Sequence, residues 1–599
     1  MKMLSVRRQI ARYFFSENTL SRNFGRGNFV SQADKPTYDD SAASRTSPSQ
    51  SDNLSHKYNP GAVPLVDMTV GQLVERAARL WPNREAFVSI PQGIRITYKQ
   101  ALERGDKIAA GLKKLGLKPR DRVGIWGPND VEWSLAFLGI TRAGLVAVGI
   151  NPAYRQAEID YCIEKVGVSA VVAPAKFKTQ DYGAMLENTR SKGGLFRHII
   201  LWSREHRTGA HRLVDVESLG GKVEVEAIRH TQGEISAHDG CNIQFTSGTT
   251  GQPKAPFISH RSIVNNGIQV AEREGLPRDH HRICLNVPFF HAFGMVQGLM
   301  AMFHSGSTLV IESQTFNPRA SIEAIAREKC TGAFGTPTMW VNMMSIQSQL
   351  KAPVDELKWV VTGGANASPE MIKNVVITFG LENFRMIYGL TETTAVMFST
   401  NPGEPEELTH STVGCLQHHL EVKVVDERGA LVPFGTPGEL LMRGYSAMMG
   451  YWGDPEGTSK TIDGDGWLRT GDKFVLREDG YGHIVGRIKD MVIRGGENIY
   501  PKEIECFLET HPEILEAQIF GVPDQVYGEE LCACIRLKKG ANLSPEEVRS
   551  FSKGNIAHFK IPRYILTVEE FPKTASGKIQ KLKLREEMER KKLIPVTNT

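Results

Sequence analysis

Phe245-Thr-Ser-Gly-Thr-Thr-Gly-Gln-Pro-Lys254 is the stretch that decides the fold. It follows a short apolar run, Asn242-Ile-Gln-Phe245, and precedes a helix-like run, His260-Arg-Ser-Ile-Val-Asn-Asn266. A strand, a loop of small residues and a helix in that order form one unit of a parallel α/β sheet. Glycines let the backbone close around a ligand. Backbone N–H groups and hydroxyls can donate to phosphate oxygens, and the lysine adds positive charge. The loop therefore reads as a phosphate cradle in which Thr246, Ser247, Gly248, Thr249, Thr250, Gly251, Gln252, Pro253 and Lys254 are the candidate contacts. Its spacing is not the GxxxxGK[ST] of the Walker loop. A Gly/Thr-rich surface turn is the bland alternative; paired threonines, two glycines and a terminal lysine directly after a strand weigh against it.

Outward from this loop, helix-spaced and strand-like segments alternate. Val70–Leu80 and Tyr98–Leu115 have helical spacing. Val123–Trp126, Ala170–Ala173 and His198–Trp202 are short apolar runs that read as buried strands. This alternation predicts parallel α/β sheets. The chain has 599 residues, and single cores stop growing near ~250–300 residues, so at least two domains are expected. From about Val413 to Gly486, short β-like runs separated by Gly, Asp and Pro predict a small strand-rich subdomain. After Asp490 the pattern becomes helix, strand, strand, helix and a Lys-rich end. The expected division is a large domain over 61–488 and a small α+β domain over 489–599, with the boundary near Lys489. No stretch offers the roughly 18 uninterrupted apolar residues of a membrane span. The nearest, Leu135 to Ile150, carries Arg142 and reads as a buried helix followed by a strand.

The formal net charge is +5. Lys2, Arg7, Arg8, Arg12, Arg22 and Arg26 against Glu17, all within residues 1–31, account for the whole excess. The remainder is near neutral and lacks an electrostatic footprint for nucleic acid. Wound as a helix, the leader puts Met3, Val6, Ile10, Tyr13 and Phe14 on one side and Arg8 and Arg12 opposite. An amphipathic, Arg- and Ser-rich, acid-poor leader has the composition of a mitochondrial transit peptide, expected here over 1–32, with the matrix as destination. A disordered basic tail is the alternative. Residues 33–60 read as an unstructured linker. The eight cysteines are scattered without a CxxC pair. They are expected to be reduced and mostly buried, with Cys532 and Cys534 on one face of a strand.

Further motifs follow in order: Pro288-Phe-Phe-His-Ala-Phe-Gly294, Gly335-Thr-Pro-Thr338, Gly363-Gly-Ala365, Tyr388-Gly-Leu-Thr-Glu392, Trp467-Leu-Arg-Thr-Gly-Asp472, Gly486-Arg487 and Pro572-Lys-Thr-Ala-Ser-Gly-Lys578. With the phosphate loop, this series resembles the adenylate-forming superfamily of acyl-CoA synthetases, 4-coumarate ligases, luciferases and peptide-synthetase adenylation domains. Within it the likeness is to mitochondrial medium-chain acyl-CoA ligases. The resemblance runs from about residue 65 to 590.

It implies ATP, Mg²⁺ and coenzyme A as reactants or cofactors, and a fatty acid as the substrate that is first adenylated and then transferred to CoA. It also implies the roles. Gly364, Ala365 and Tyr388 flank the adenine and α-phosphate. Asp472 accepts from the ribose hydroxyls, as a carboxylate can. Arg487 donates through its guanidinium fork. Thr391 meets the α-phosphate, and Glu392 supplies a hard oxygen for the metal. His291 borders the acyl pocket. Lys578 stabilises charge as the carboxylate attacks the α-phosphate. Lys489 is the pivot on which the small domain swings, and Gly495 and Gly496 line the tunnel for the pantetheine arm. Taken singly, each residue has a plain alternative: a Gly-Asp turn for Asp472, a surface ion pair for Arg487, a packed core histidine for His291. Their shared order favours the functional set.

One departure stands out. After Lys254 the family has Gly-Ala or Gly-Val, and this chain has Ala255-Pro256. Proline removes an N–H and fixes φ. If that N–H pairs with a neighbouring strand, the loop is displaced. Retained activity is expected, and the alternatives are a catalytically impaired acyl- or nucleotide-binding homologue or a related enzyme that adenylates another carboxylic acid.

Overall fold

Helices begin where the sequence supplies their caps. In the computed structural model, which describes residues 53–246, 253–365, 367–495, 497–574 and 577–595, Thr69 and Gln72 form a reciprocal cap at the start of Val70–Leu80. Thr97 and Gln100 do the same for Tyr98–Lys114. Each pair satisfies backbone N–H groups that the first helical turn leaves without partners. Gly167, Gly275 and Gly380 end three helices in the left-handed conformation.

Two large sheets dominate. The first runs in the order His211–Arg212, His198–Leu201, Val168–Ala173, Arg122–Trp126, Val146–Ile150, Gly240–Gln244, Pro256–Ser259, Gly450–Tyr451. Its first six strands are parallel and the last two join antiparallel. The second has nine strands, parallel through Asn383–Tyr388, Trp359–Thr362, Gly332–Gly335, Arg282–Leu285, Thr308–Ile311 and Glu85–Ser89, with antiparallel strands at its edges. One apolar cluster takes residues from both sheets and from the helices between them. Continuous apolar strands covered on both faces are what parallel sheets require. The α/β expectation holds.

Helix Val131–Arg142 lies inside this core, and strand Val146–Ile150 follows it. Arg142 is fully buried; it donates to Asp106 at 2.5 Å, to Glu75 at 2.8 Å and to the Gly71 carbonyl at 3.0 Å. A buried charge is tolerable when paired and hydrogen-bonded in this way. Among the described residues no helix is long and apolar enough to cross a membrane.

A third sheet is wholly antiparallel: His56–Asn59, Leu420–Val425, Gly438–Gly444, Leu468–Leu476, Gly482–Arg487. It takes most strands of the region read as strand-rich from the sequence, while Cys415–Leu416 and Gly450–Tyr451 of that region join the two large sheets, and it has one addition. His56–Asn59, expected to be the end of an unstructured linker over 33–60, is its edge strand. His-Lys-Tyr-Asn has little apolar character, so pairing with Leu420–Lys423 holds it, along with the hydrogen bond between the His56 ring and Glu421 at 2.7 Å. The leader, 1–32, and the linker up to Asp52 lie outside the described residues.

A fourth sheet contains only residues after Met491. Val492–Arg494, Glu497–Ile499, Ile514–Asp524 and Gly528–Leu537 are antiparallel, and Tyr564–Thr567 adds in parallel. Helices Pro501–Leu508, Pro545–Ser552 and Lys581–Arg590 accompany it. Cys532 and Cys534 are buried together with Phe571, Leu584 and Met588. All eight cysteines are free thiols.

Candidate active site

The site forms where the C-terminal end of a parallel strand meets the antiparallel sheet. Tyr388 ends strand Asn383–Tyr388, and its ring stacks on Phe474 with centroids 5.8 Å apart. Its hydroxyl donates to Asp472 Oδ2 at 2.6 Å. Asp472 and Arg487 are directly opposed on neighbouring strands, and Arg487 Nε meets Asp472 Oδ1 at 2.7 Å. Asp472 is 2% exposed. Burial pushes its carboxyl up, and Arg487, the Tyr388 hydroxyl and Lys578 pull it back. Each carboxylate oxygen has spent one of its two lone pairs, so both can still accept a hydrogen bond. Although burial opposes it, the Asp472 charge holds the Arg487 guanidinium firmly protonated.

Lys578 enters from the chain's end. Its loop is closed on itself: Thr574 N–H donates to the Lys578 carbonyl at 2.8 Å, and Lys578 N–H donates to Thr574 Oγ1 at 3.0 Å. Gly577 takes φ +82°, and a Cβ there would lie 2.9 Å from Thr336 Oγ1. Only glycine combines that backbone with that approach. The ammonium is open to solvent yet enclosed by protein on most sides. This enclosure, with Arg487 and Lys489, holds it below the ordinary lysine value, against Asp472.

His291 follows Phe290 at the entrance to a π-helical segment, Phe293–Met300, a form enriched at functional sites. Its Nδ1 accepts from the Phe293 N–H at 3.4 Å. Burial first, and the nearby Lys578 charge second, lower its pKa to about 4. It is therefore a neutral imidazole at physiological pH, with Nε2 carrying the proton.

Thr391 and Glu392 lie in a tight turn, Thr391–Thr393. The following Thr394 has φ +68°, and its hydroxyl donates to the Ser446 carbonyl at 2.6 Å. The Glu392 carbonyl accepts from Met448 N–H at 2.8 Å. Glu392 Oε1 accepts from the Tyr451 hydroxyl at 2.9 Å, and Lys254 Nζ stands over the Tyr451 ring at 4.5 Å. Tyr451 thus links the base of the phosphate loop to Glu392. Sequence reading did not find it, because Gly450-Tyr451 looks like any turn. Thr336, whose hydroxyl is buried without a partner among the described residues, stood out in the sequence only as a member of the Gly335–Thr338 motif.

No three His, Cys, Asp or Glu side chains converge as a metal site among the described residues. A lone carboxylate such as Glu392 suits a Mg²⁺ ion that arrives with nucleotide phosphates, because Mg²⁺ keeps waters and takes few protein ligands. Gly364 and Ala365 line a cavity of about 190 Å³ together with Lys578 and Ser368.

Ser247, Gly248, Thr249, Thr250, Gly251 and Gln252 lie outside the described residues. The base of their loop does not. Thr246 and Lys254 exchange both backbone hydrogen bonds, at 3.0 and 3.1 Å. Pro256 is the first residue of its strand, a position that tolerates proline. The ladder continues beyond it, with Phe257 opposite Ile243, and Trp452 N–H reaches the Ala255 carbonyl at 2.8 Å. The Ala255 methyl is buried in an apolar cluster with Ile243 and Val148. Ala255-Pro256 therefore leaves the loop closed at its base.

Lys489 lies in the turn Ile488–Asp490, between the third and fourth sheets. Burial and Arg487 lower its pKa. The Gly495 N–H donates to the Tyr527 carbonyl at 2.9 Å, and a Cβ at Gly495 would meet the Tyr527 ring at 3.0 Å. Gly496 lies outside the described residues.

The family model for AMP-binding enzymes matches residues 74–452, and that for the AMP-binding enzyme C-terminal domain matches residues 503–578. The chain is 42% identical over 541 residues to "Medium-chain acyl-CoA ligase ACSF2, mitochondrial" of Danio rerio, covering 88% of this chain and 89% of the relative. It is 36% identical over 536 residues to "Putative acyl-CoA synthetase YngI" of Bacillus subtilis, covering 87% and 97%. Among solved structures, the anthranilate CoA ligase AuaEII in complex with anthranoyl-AMP superposes with TM-score 0.79 at 25% identity over 89% of this chain and 99% of that one. ATP-bound MatB from Rhodopseudomonas palustris gives 0.75 at 26% identity, over 87% and 99%.

Proposed function

The chain belongs to the AMP-binding enzyme family, and from that premise we propose that it is an ATP-dependent acyl-CoA ligase acting on medium-chain fatty acids. The observation that supports this most is the grouping of Tyr388, Asp472 and Arg487, with the Lys578 ammonium within electrostatic reach of Asp472 and Arg487. The remaining lone pairs of Asp472 take the ribose hydroxyls. Arg487 donates to the sugar or phosphate. The loop from Thr246 to Lys254 cradles the outer phosphates, and Thr391 donates to the α-phosphate. Lys578 places one ammonium between the incoming carboxylate and the α-phosphate, where charge grows in the transition state. A carboxylate oxygen bonds to the α-phosphorus, and the bond to the departing pyrophosphate oxygen breaks. The CoA sulfur then attacks the acyl carbon, AMP leaves with the bonding electrons, and the thiol proton passes to solvent. Mg²⁺ bound at Glu392 would neutralise charge on the phosphates.

The same reading assigns the remaining parts. Residues 489–599 form the mobile domain that carries Lys578, Lys489 is its pivot, and Gly495 and Gly496 line the path of the CoA arm in the second step. His291, as a neutral imidazole, borders the acid's carboxylate. Residues 1–32 address the chain to the mitochondrial matrix. The relatives named for medium-chain acids support that chain length. The motive for a catalytically impaired homologue is Ala255-Pro256, and the closed loop base weighs against it. The test is pyrophosphate release with ATP, Mg²⁺ and straight-chain acids of increasing length, each with and without CoA. Release that peaks at a middle length and turns over only with CoA is expected; release with no acid at any length would sink the reading.

A further inference from the structure

The loop that carries Lys578 runs into helix Lys581–Arg590, so the ammonium's position depends on what anchors residue 581. Lys581 Nζ donates to Glu505 Oε1 at 2.5 Å and to the Ile519 carbonyl at 2.9 Å. Glu505 is 3% exposed and sits on helix Pro501–Leu508. Its Oε1 also accepts from the Ile519 N–H at 3.0 Å, and Lys502 Nζ is 3.7 Å from Oε2. Burial alone would raise this carboxyl; Lys581, Lys502 and the Ile519 N–H together hold it below the usual range. The glutamate is therefore a carboxylate with all its strong partners in place, which is the condition under which a buried charge persists.

The other end of the loop is tied to the same point. Gln580 N–H donates to the Pro572 carbonyl at 2.8 Å, and Gln580 Nε2 donates to the Lys573 carbonyl at 2.7 Å. Pro572 and Lys573 are thus tied to Gln580, and residue 581 is bolted to Glu505. Lys581 and Glu505 also line the cavity that Lys578, Gly364 and Ala365 share. A lysine in a solvated basic tail would show none of these ties; Lys583 and Lys591 nearby are exposed or pair locally.

We propose that Glu505 and Lys581 are positioning residues for the adenylation step, because their buried ion pair fixes the turn that places the Lys578 ammonium. The proposal rests on the acyl-adenylate reading above. Both act through the turn rather than on the reacting atoms. Glu505→Gln keeps the shape and removes the charge; Lys581→Met removes the bolt; Lys581→Arg retains a cation able to reach Glu505. The experiment measures two half-reactions on the full chain: acid-dependent exchange of pyrophosphate into ATP, and thioester formation from supplied acyl-AMP and CoA. Glu505→Gln and Lys581→Met are expected to lower the exchange by about tenfold to a hundredfold, the scale of a ~1 Å misplacement. Thioester formation should stay within about twofold in both, since it does not use the ammonium at the α-phosphate. Lys581→Arg should restore most of the exchange. A parallel fall of both half-reactions would overturn the proposal, because it would show a structural role alone. Unchanged exchange in Glu505→Gln would overturn it as well. Absence of exchange in the unaltered chain would instead overturn the ligase reading, and this proposal with it.

Discussion

Asp472 and Arg487 face each other across two antiparallel strands and close an ion pair of 2.7 Å, with the Tyr388 hydroxyl on the second carboxylate oxygen at 2.6 Å. The pair is 2% exposed on the aspartate side, and a third strand, from a different sheet, completes it. This arrangement fixes the carboxylate's direction before any ligand arrives, and a fixed acceptor loses little entropy on binding.

Asp472→Asn should therefore cut affinity for ATP rather than unfold the protein. Hydrogen bonds to a charged acceptor contribute about 1.5–3 kcal/mol each, so kcat/KM for ATP should fall about a hundredfold. Steady-state kinetics with varied ATP, alongside a thermal melt, separate the two effects.

Pro256→Gly should change little. It returns the N–H that would face the Gln244 carbonyl, two residues along from the Thr246–Lys254 pair in the antiparallel alternation. The gain of about 1 kcal/mol from that bond is offset by the greater freedom of glycine in the unfolded chain. Adenylation kcat/KM should stay within about threefold. A large rise would show that proline impairs the loop.

Adenylation should fail at alkaline pH earlier than a free lysine would dictate. Lys578 must be charged to act, and enclosure, Arg487 and Lys489 lower its pKa. Raising the pH through that lowered value removes the ammonium, so kcat/KM, which reports the free enzyme, loses its alkaline limb below the ordinary lysine range. Lys489→Gln removes one of the depressing charges and should move that limb to higher pH. A pH profile of pyrophosphate release checks both shifts.

Glu312 gives a stability test away from the site. It is 3% exposed, and burial raises its pKa to about 8. Unfolded, it titrates near the ordinary glutamate value, so between these values the folded chain holds a proton that the unfolded chain releases. Stability from this group is complete below pH ~4.5 and is lost as pH rises through about 8. Glu312→Gln should thus be more stable than the parent at pH 9, by several kcal/mol at most, and should match it at pH 4. Denaturant melts at both pH values measure the difference.

Much of the fold was legible because parallel strands are short apolar runs between helices with clear spacing. Val70–Leu80 was read to the residue, and Arg142 correctly turned a long apolar stretch into a buried helix and strand. His56–Asn59 was not legible: its polar sequence pairs only because Leu420–Lys423 offers an edge, and that contact spans more than 350 residues. In the site, residues inside contiguous motifs could be found: the structure groups Tyr388, Asp472 and Arg487, sets Lys578 within electrostatic reach of Asp472 and Arg487, and sets His291 near Lys578. Tyr451 and Glu505 could not be found, since each acts through a partner distant in sequence. Gly495 is placed against Tyr527.

The ligase reaction requires a carboxylate to attack the α-phosphorus of ATP. A medium-chain acid labelled with oxygen-18 in both carboxyl oxygens tests it directly, with ATP, Mg²⁺ and CoA present. Acyl-CoA is expected together with AMP that carries one labelled oxygen, and unlabelled pyrophosphate. Unlabelled AMP, or ADP accompanied by labelled phosphate, would contradict it.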